Sequence, residues 1–517
     1  MNEFNITPSI PCILPEPFEG RHLINGVWQS SADGATFERS SPSHGVAVSK
    51  SAKGGHSETE AAINAARAAF DSGIWSRISG RERAAYLLKA ADLIEANVDR
   101  IAVQETLESG KPITQSRAEV SGAADLWRYA ASLARSLHGD SYNSLGPDML
   151  GVVLKEPIGV VSIITPWNFP FWILSQKLPF ALAAGCTVVV KPSEVTPSTT
   201  VMMGELLVEA ELPAGVCNIV LGYGEPVGRL MSTHNKVDMV TFTGSTAVGK
   251  KITEAAGGTL KKVALELGGK NAQIVLPDAN LDDAADAVVF GAYFNVGQCC
   301  NASSRLIVHE DIAASFVAKV VALSRDVAFG DPLDPRTQVG AIVTAEHNSN
   351  IGAYVENAVA EGATLELGGG FLDVPGLGQQ FFQPTIISGV SAEMGIAREE
   401  VFGPVLSVLT FKTLEEAISL TNDTSYGLSV GIWSENIHHC LEFARRAQVG
   451  TVWTNTWMDG YPELAFGGMK QSGQGREIGH YGFEEFLEVK SVVMRVGRTR
   501  TSWVKPRDQK REDPITQ

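Results

Sequence analysis

Cysteine is scarce: Cys12, Cys186, Cys217, Cys299, Cys300 and Cys440 are the only six in a chain of 517 residues. Their spacing builds no disulfide framework and no C-x-x-C pair, so neither a stapled small domain nor a metal site is predicted. Long hydrophobic runs are missing too. The longest, Leu178 to Val190, is bounded by Lys177 and Lys191 and broken by Pro179, Gly185 and Thr187. It falls short of the roughly 20 residues that span a bilayer. The first residues carry Glu3, Glu16 and several prolines without an apolar stretch, so no secretory signal is read there. Positive charge is in deficit, with 42 Lys and Arg against 58 Asp and Glu and a net charge of −16. That balance argues against non-specific binding to nucleic acid or to an anionic membrane, both of which need basic surface. Only Arg498 to Arg511 is locally basic, and 501–517 reads as a solvated polar tail. A soluble, reduced, cytoplasmic protein is the expectation.

What is present is globular: 44% hydrophobic and 19% charged residues fit neither a disordered nor a fibrous chain. At roughly 150 residues per domain, the length predicts more than one. Apolar positions three and four apart predict helices over 58–70, 81–108 and 116–136. From about residue 151 the texture changes. Short β-branched runs appear at Ile158–Ile164, Thr187–Val190, Asn218–Leu221, Asp238–Phe242 and Val263–Leu265, with helical stretches over 198–210 and 246–256 between them. Such alternation predicts an α/β fold with a doubly wound, Rossmann-like parallel sheet covered on both faces. A looser alternation over 281–450 predicts a second α/β domain. The segment 139–156 fits neither core, and 483–497 alternates like a strand; both are assigned to association between subunits.

Several motifs sit where such a sheet binds ligands. Gly222, Gly224 and Gly228 form a glycine turn one residue longer than the dinucleotide fingerprint; a plain strand-to-helix turn accounts for it equally. Phe242-Thr243-Gly244-Ser245 and Gly249 follow a strand and open a helix, where backbone N–H groups can receive a pyrophosphate, although Ser245 also reads as a simple helix cap. Lys191-Pro192-Ser193-Glu194 lies at a strand end. A carboxylate there can take both hydroxyls of a ribose; a surface turn with a charge pair is the alternative. Asn295-Val296-Gly297-Gln298-Cys299-Cys300-Asn301 reads either as buried packing thiols or as a nucleophile loop. No histidine stands in a papain-like context and no G-x-S-x-G elbow occurs, so a reactive thiol here needs activation from elsewhere.

Thr165-Pro166-Trp167-Asn168-Phe169-Pro170, Lys191-Pro192-Ser193-Glu194, Phe242-Thr243-Gly244-Ser245, Leu265-Glu266-Leu267-Gly268-Gly269-Lys270, Gly297-Gln298-Cys299-Cys300 and Glu400-Val401-Phe402-Gly403-Pro404 occur in this order. From about residue 20 to 497 the chain resembles the NAD(P)-dependent aldehyde dehydrogenase superfamily, in texture its bacterial L-sorbosone and betaine-aldehyde dehydrogenase-like groups. The resemblance implies a cofactor domain over 1–135 and 157–266, a catalytic domain over 267–470, and a small oligomerisation element from 136–156 and 480–500 that makes a homodimer or homotetramer.

It also implies the chemistry. Cys300 attacks the aldehyde carbon as a thiolate, with Cys299 only a neighbour. The Asn168 side-chain amide and the Cys300 backbone N–H hold the oxyanion. Glu266, its carboxyl raised by burial, activates water to hydrolyse the thioester. Thr165, Trp167, Lys191, Ser193, Glu194, Gly224, Gly228, Phe242, Gly244, Ser245, Gly249, Leu267, Glu400 and Phe402 would form the cofactor cleft. The charge of Glu194 repels a 2′-phosphate, which favours NAD over NADP. By the same resemblance Phe169, Ile173, Gln176, Phe294, Asn301, Trp457 and Phe466 line the substrate tunnel. That mixture suits a polar or cationic aldehyde, with Trp457 stacking on a quaternary ammonium, but Gln176 stands where many relatives carry tryptophan. Two alternatives differ in class. A CoA-acylating semialdehyde dehydrogenase lacks the base carboxylate, and a crystallin-like structural protein has no need of nucleophile or base; Glu266 and Cys300 count against both.

Overall fold

The computed structural model describes residues 4–7, 14–498 and 503–504. The polar tail expected over 501–517 therefore lies, apart from 503–504, outside the described residues, as does Cys12.

Five strands form the parallel core of an eight-stranded sheet: β1 (Val160–Ile164), β2 (Thr187–Lys191), β3 (Cys217–Ile219), β4 (Met239–Thr243) and β5 (Lys262–Glu266). Across the sheet the order is Gly473–Gln474, β5, β4, β1, β2, β3, His22–Ile24, Val27–Gln29. Every residue of β1, β2 and β4 is buried, which explains their continuous apolar, β-branched composition: a parallel strand covered on both faces has no polar side to show. Each fully buried valine or isoleucine contributes about 1.5–3 kcal/mol. A single Val189→Asp would place a charge among Val160, Val220 and Val240 in this core. Chain progression runs outward through β1, β2 and β3, then returns to β4 and β5 on the other side of β1. The reversal falls between β1 and β4, the place where open α/β sheets bind ligands at the carboxyl ends of their strands.

A second sheet of seven strands has the order Thr364–Leu367, Thr385–Ser388, Val405–Phe411, Arg305–His309, Ala272–Val275, Ser429–Trp433, Thr451–Thr454. All its neighbours are parallel except the first pair. The third sheet sets Met149–Pro157 antiparallel to Leu487–Arg495, from Leu487↔Pro157 to Arg495↔Met149, with Asp140–Tyr142 on the far edge. The segment that fitted neither core thus pairs with the alternating segment near the chain's end.

The sequence predicts one helix over 81–108; the structure breaks it into Gly80–Ala96 and α1 (Val98–Ser109). The break lies at Asn97, whose side-chain amide donates to Leu93 O at 2.9 Å. A short polar side chain that bonds the preceding turn offers the backbone an exit from the helix. The helices that matter below are α2 (Ile113–Ser136), α3 (Pro170–Ala184), α4 (Ser198–Glu209) and α5 (Thr246–Gly257). No described helix is long and apolar enough to cross a membrane.

Candidate active site

The nucleophile loop is held in an uncommon backbone conformation. Asn295, Val296 and Gly297 have φ values of 49°, 60° and 69°, and for a β-branched valine such a conformation is strained. Asn295 maintains it by donating from Nδ2 to Asn168 O at 3.1 Å and to Gln298 O at 3.0 Å. Gln298 is tied in turn by its side-chain oxygen, which accepts from Val343 N at 2.9 Å. The result presents Cys300, partly exposed, while Cys299 is buried. Contact with Cys299, then burial, holds the Cys300 thiol well above its usual range, with the Asn301 N–H pulling the other way. The resting group is a thiol, which has to surrender a proton to become a nucleophile.

Glu266 closes β5. It is 5% exposed, and neither of its carboxylate oxygens has a hydrogen-bond partner. Burial raises its carboxyl well above the usual range, Lys177 opposes that rise, and Cys300 adds to it. An unpartnered buried carboxyl whose proton affinity is raised in this way is suited to accept a proton. The two glycines that follow have separate tasks. A side chain at Gly268 would strike the Glu400 carboxylate, and one at Gly269 would lie 2.7 Å from Cys300 O. The paired glycines therefore let the loops of Glu400 and Cys300 approach the same strand end. Asn271 Nδ2 completes the joint by donating to Cys300 O at 2.6 Å.

Asn168 lies beyond β1, immediately before α3. Its Nδ2 donates to Gln298 O at 3.1 Å, which leaves the second amide hydrogen for an oxyanion. Around Cys299 a small apolar cluster gathers Phe169, Ile173 and Ala302, with Trp172, Phe294 and Met458 against it. Phe169 and Phe294 stack at 5.9 Å. Gln176 is half-buried, and Asn301 Oδ1 accepts from Ser429 Oγ at 3.4 Å. Trp457 is 6% exposed and packs its indole against Gly431 and Trp453, so little of its face is left open. Phe466 bridges to Glu477.

The other named residues gather at the carboxyl ends of the first sheet. Thr165 follows β1 and Thr243 ends β4; both hydroxyls are buried without a partner. Lys191 ends β2, its ammonium on Pro192 O at 2.8 Å and 3.4 Å from the half-buried Glu194 carboxylate. Ser193 is half-buried in the turn that leads to α4. Ser245 caps α5 by accepting from Val248 N at 3.4 Å. Gly244 folds over the Phe242 ring, and Gly249 presses on Leu267 so closely that a side chain there would meet Cδ2 at 2.6 Å. A side chain added at Gly228 would meet Lys191 Cδ at 3.7 Å, whereas one at the exposed Gly224 would meet nothing within 4 Å. From the second sheet, Glu400 accepts from Gly269 N at 2.9 Å. Burial pushes its carboxyl up to about 7 against the pull of Gly269 and Lys270. Phe402 has φ 57° and meets Trp167 edge-on at 5.5 Å, with His347 Nε2 donating to its carbonyl at 2.8 Å.

Sequence reasoning missed two residues here. Lys177 and Glu477 form an ion pair buried behind Glu266, and Lys177 also donates to Thr241 Oγ1 at 3.0 Å. Burial lowers the Lys177 ammonium to about 7, with Glu266 holding it up. The available signal was a lone lysine inside an otherwise apolar helix, a residue type that is almost never buried without a partner.

A model of the aldehyde dehydrogenase family matches residues 28–492. The chain is 42% identical to betaine aldehyde dehydrogenase of Bacillus subtilis (strain 168), over 93% of this chain and 98% of that protein. It is 40% identical to human retinal dehydrogenase 2, over 94% of each. Among solved structures, an NAD-dependent aldehyde dehydrogenase from Sinorhizobium meliloti superposes with a TM-score of 0.92 at 47% identity, covering 94% of this chain and 96% of that one. Betaine aldehyde dehydrogenase from Staphylococcus aureus in complex with NAD+ superposes with a TM-score of 0.91 at 38% identity, over 94% and 97%. Family model, identity and superposition extend over nearly the whole chain: the protein belongs to the aldehyde dehydrogenase family.

Proposed function

We propose that this protein oxidises an aldehyde to the carboxylic acid with NAD, through a thioester on Cys300. One observation carries the reading: a partly exposed thiol on a strained loop shares its surroundings with an amide donor, Asn168, and a buried carboxyl without partners, Glu266. The thiol gives up its proton to solvent, and its sulfur bonds to the aldehyde carbon while the carbonyl electron pair moves to oxygen. The free hydrogen of Asn168 Nδ2, with the Cys300 N–H, meets that charge. NAD bound at the sheet end would supply the hydride acceptor, which would leave the carbon at the oxidation level of an acid. Water then attacks the thioester as Glu266 takes its proton; the carbon–sulfur bond breaks and Cys300 is regenerated.

The sheet end suits the dinucleotide. Two buried hydroxyls without partners, Thr165 and Thr243, lie at adjoining strand ends beside the exposed N-terminus of α5. Lys191 and Glu194 stand together at the next strand end. Ribose hydroxyls would be held by Lys191, Ser193 and Glu194 on one side and by Glu400 on the other, with Phe402 beside the nicotinamide. The negative charge of Glu194 favours NAD over NADP. In this reading 1–135 and 157–266 bind the cofactor, 267–470 supply the nucleophile, and 136–156 with 480–500 join subunits into a dimer or tetramer. Exposed Val489 and Val493, 67% and 66% accessible on one face of the third sheet, support association there. Five free thiols among the described residues suit the reducing cytoplasm.

The substrate's carbon chain packs against Phe169, Trp172, Phe294 and Met458, with Gln176 and Asn301 as the nearby polar groups. The test is NADH formation with propanal, glycolaldehyde, betaine aldehyde and sorbosone. Turnover of at least one supports the reading, and the ranking names the substrate class. A flat trace across the panel with both NAD and NADP would overturn it.

A further inference from the structure

Beneath the oxyanion donor lies a buried charge cluster that the mechanism above leaves without a role. Lys111, in the turn between α1 and α2, is fully buried. Its ammonium lies 3.0 Å from the carboxylate of Glu105 on α1 and 2.6 Å from that of Glu119 on α2. Burial alone would discharge the lysine, yet the two carboxylates overcome it and raise its pKa. Two features tie the cluster to the site. The second oxygen of Glu105 accepts from Phe171 N, in the first turn of α3, at 3.4 Å. The Lys111 ammonium also sits 4.3 Å from the centre of the Phe169 ring.

Helix α3 begins directly after Asn168 and Phe169, and its N-cap, Phe169, supplies no side-chain acceptor. The first N–H groups of a helix need a partner when buried, and here a carboxylate from another helix is one. A carboxylate at a helix start also benefits from the helix dipole. Phe169, fixed from behind by Lys111, stacks on Phe294, which directly precedes the strained Asn295. The cluster therefore grips the chain at Phe169 and Phe171, directly after Asn168.

We propose that Glu105, clamped by Lys111, is a positioning residue that holds Asn168 in register for the oxyanion. This rests on the assignment of Asn168 as oxyanion donor. The test is a double-mutant cycle read by the pre-steady-state burst of NADH, with NAD affinity measured alongside. Glu105→Gln should slow the burst by about tenfold, since small misplacements of a catalytic group are costly, while NAD affinity stays unchanged. In an Asn168→Ala background the same substitution should cost nothing further, because its effect passes through the missing amide. A general structural role would cost the same factor in both backgrounds, and that result overturns the proposal alone. Asn168→Ala at the parent rate overturns the oxyanion assignment and the proposal with it. Should Glu105→Gln fail to fold, Glu119→Gln decides by the same comparison: it loosens Lys111 but leaves the Phe171 bond. Its smaller loss must also vanish without Asn168, and a loss that persists there overturns the proposal.

Discussion

The side-chain amide of Asn168 donates to the carbonyl of Gln298 at 3.1 Å, so the proposed oxyanion donor beyond β1 is pinned to the loop of the proposed nucleophile, Cys300. Donor and nucleophile cannot drift independently, which is what a preorganised site for a developing charge requires.

Cys300→Ala removes the nucleophile without touching the strand ends that face the cofactor. Oxidation should fall to background while NAD affinity, followed by fluorescence titration, stays within error. Cys299→Ala should keep most of the activity, since that thiol sits in the apolar cluster of Phe169 and Ile173 and its contact with Cys300 only holds the neighbouring thiol up. Reversed results would move the nucleophile by one residue.

Glu194→Gln keeps the shape of the side chain and deletes its charge. NAD should bind more weakly and the preference over NADP should narrow, because the repulsion toward a 2′-phosphate is gone. Identical KM values for both cofactors before and after the change would sink the assignment.

Glu266→Gln should separate the two halves of the reaction. Acylation survives, giving about one equivalent of NADH per active subunit, and the steady state then slows by on the order of 10²–10⁴, the usual cost of losing a general base. A missing burst would instead make Glu266 the base toward the Cys300 thiol.

The pH dependence of deacylation follows from burial of the same group. Because burial holds Glu266 well above its usual range, it is protonated at acid pH and cannot take a proton from water. The rate therefore rises with pH as the carboxyl ionises. Lys177 works against burial, so replacing the pair by Lys177→Met with Glu477→Gln should leave Glu266 harder to ionise. The rising limb should move toward alkaline pH, and a limb that stayed in place would show that the ammonium does not act on the base. Changing both partners avoids leaving one buried charge alone.

Association through the third sheet is open to a direct measurement. Val489→Glu with Val493→Glu adds two charges to its exposed apolar face, and sedimentation should show a shift to smaller species. An unaltered sedimentation coefficient would place the subunit contact elsewhere.

The sequence by itself determined the parallel sheet and the positions of the reactive residue types. Buried strands must be apolar and β-branched over their whole length, so β1, β2 and β4 are visible as short runs. Thiol, carboxylate and glycine pairs stand in local patterns such as Leu265–Lys270 and Gly297–Cys300, where neighbours in the chain are also neighbours in space. Tertiary structure alone decided what surrounds them. Lys177 meets Glu477 across 300 residues of sequence, and Asn295 meets Asn168 across 127, so no local pattern announces either pair. The left-handed course at Val296, which a β-branched residue opposes, is held by Asn295, whose amide reaches Asn168 O outside the loop. Burial explains the rest: whether Glu266, Lys177 or Lys111 is shielded from water depends on every element packed over it, and that shielding moves the proton affinity of an ordinary charged side chain.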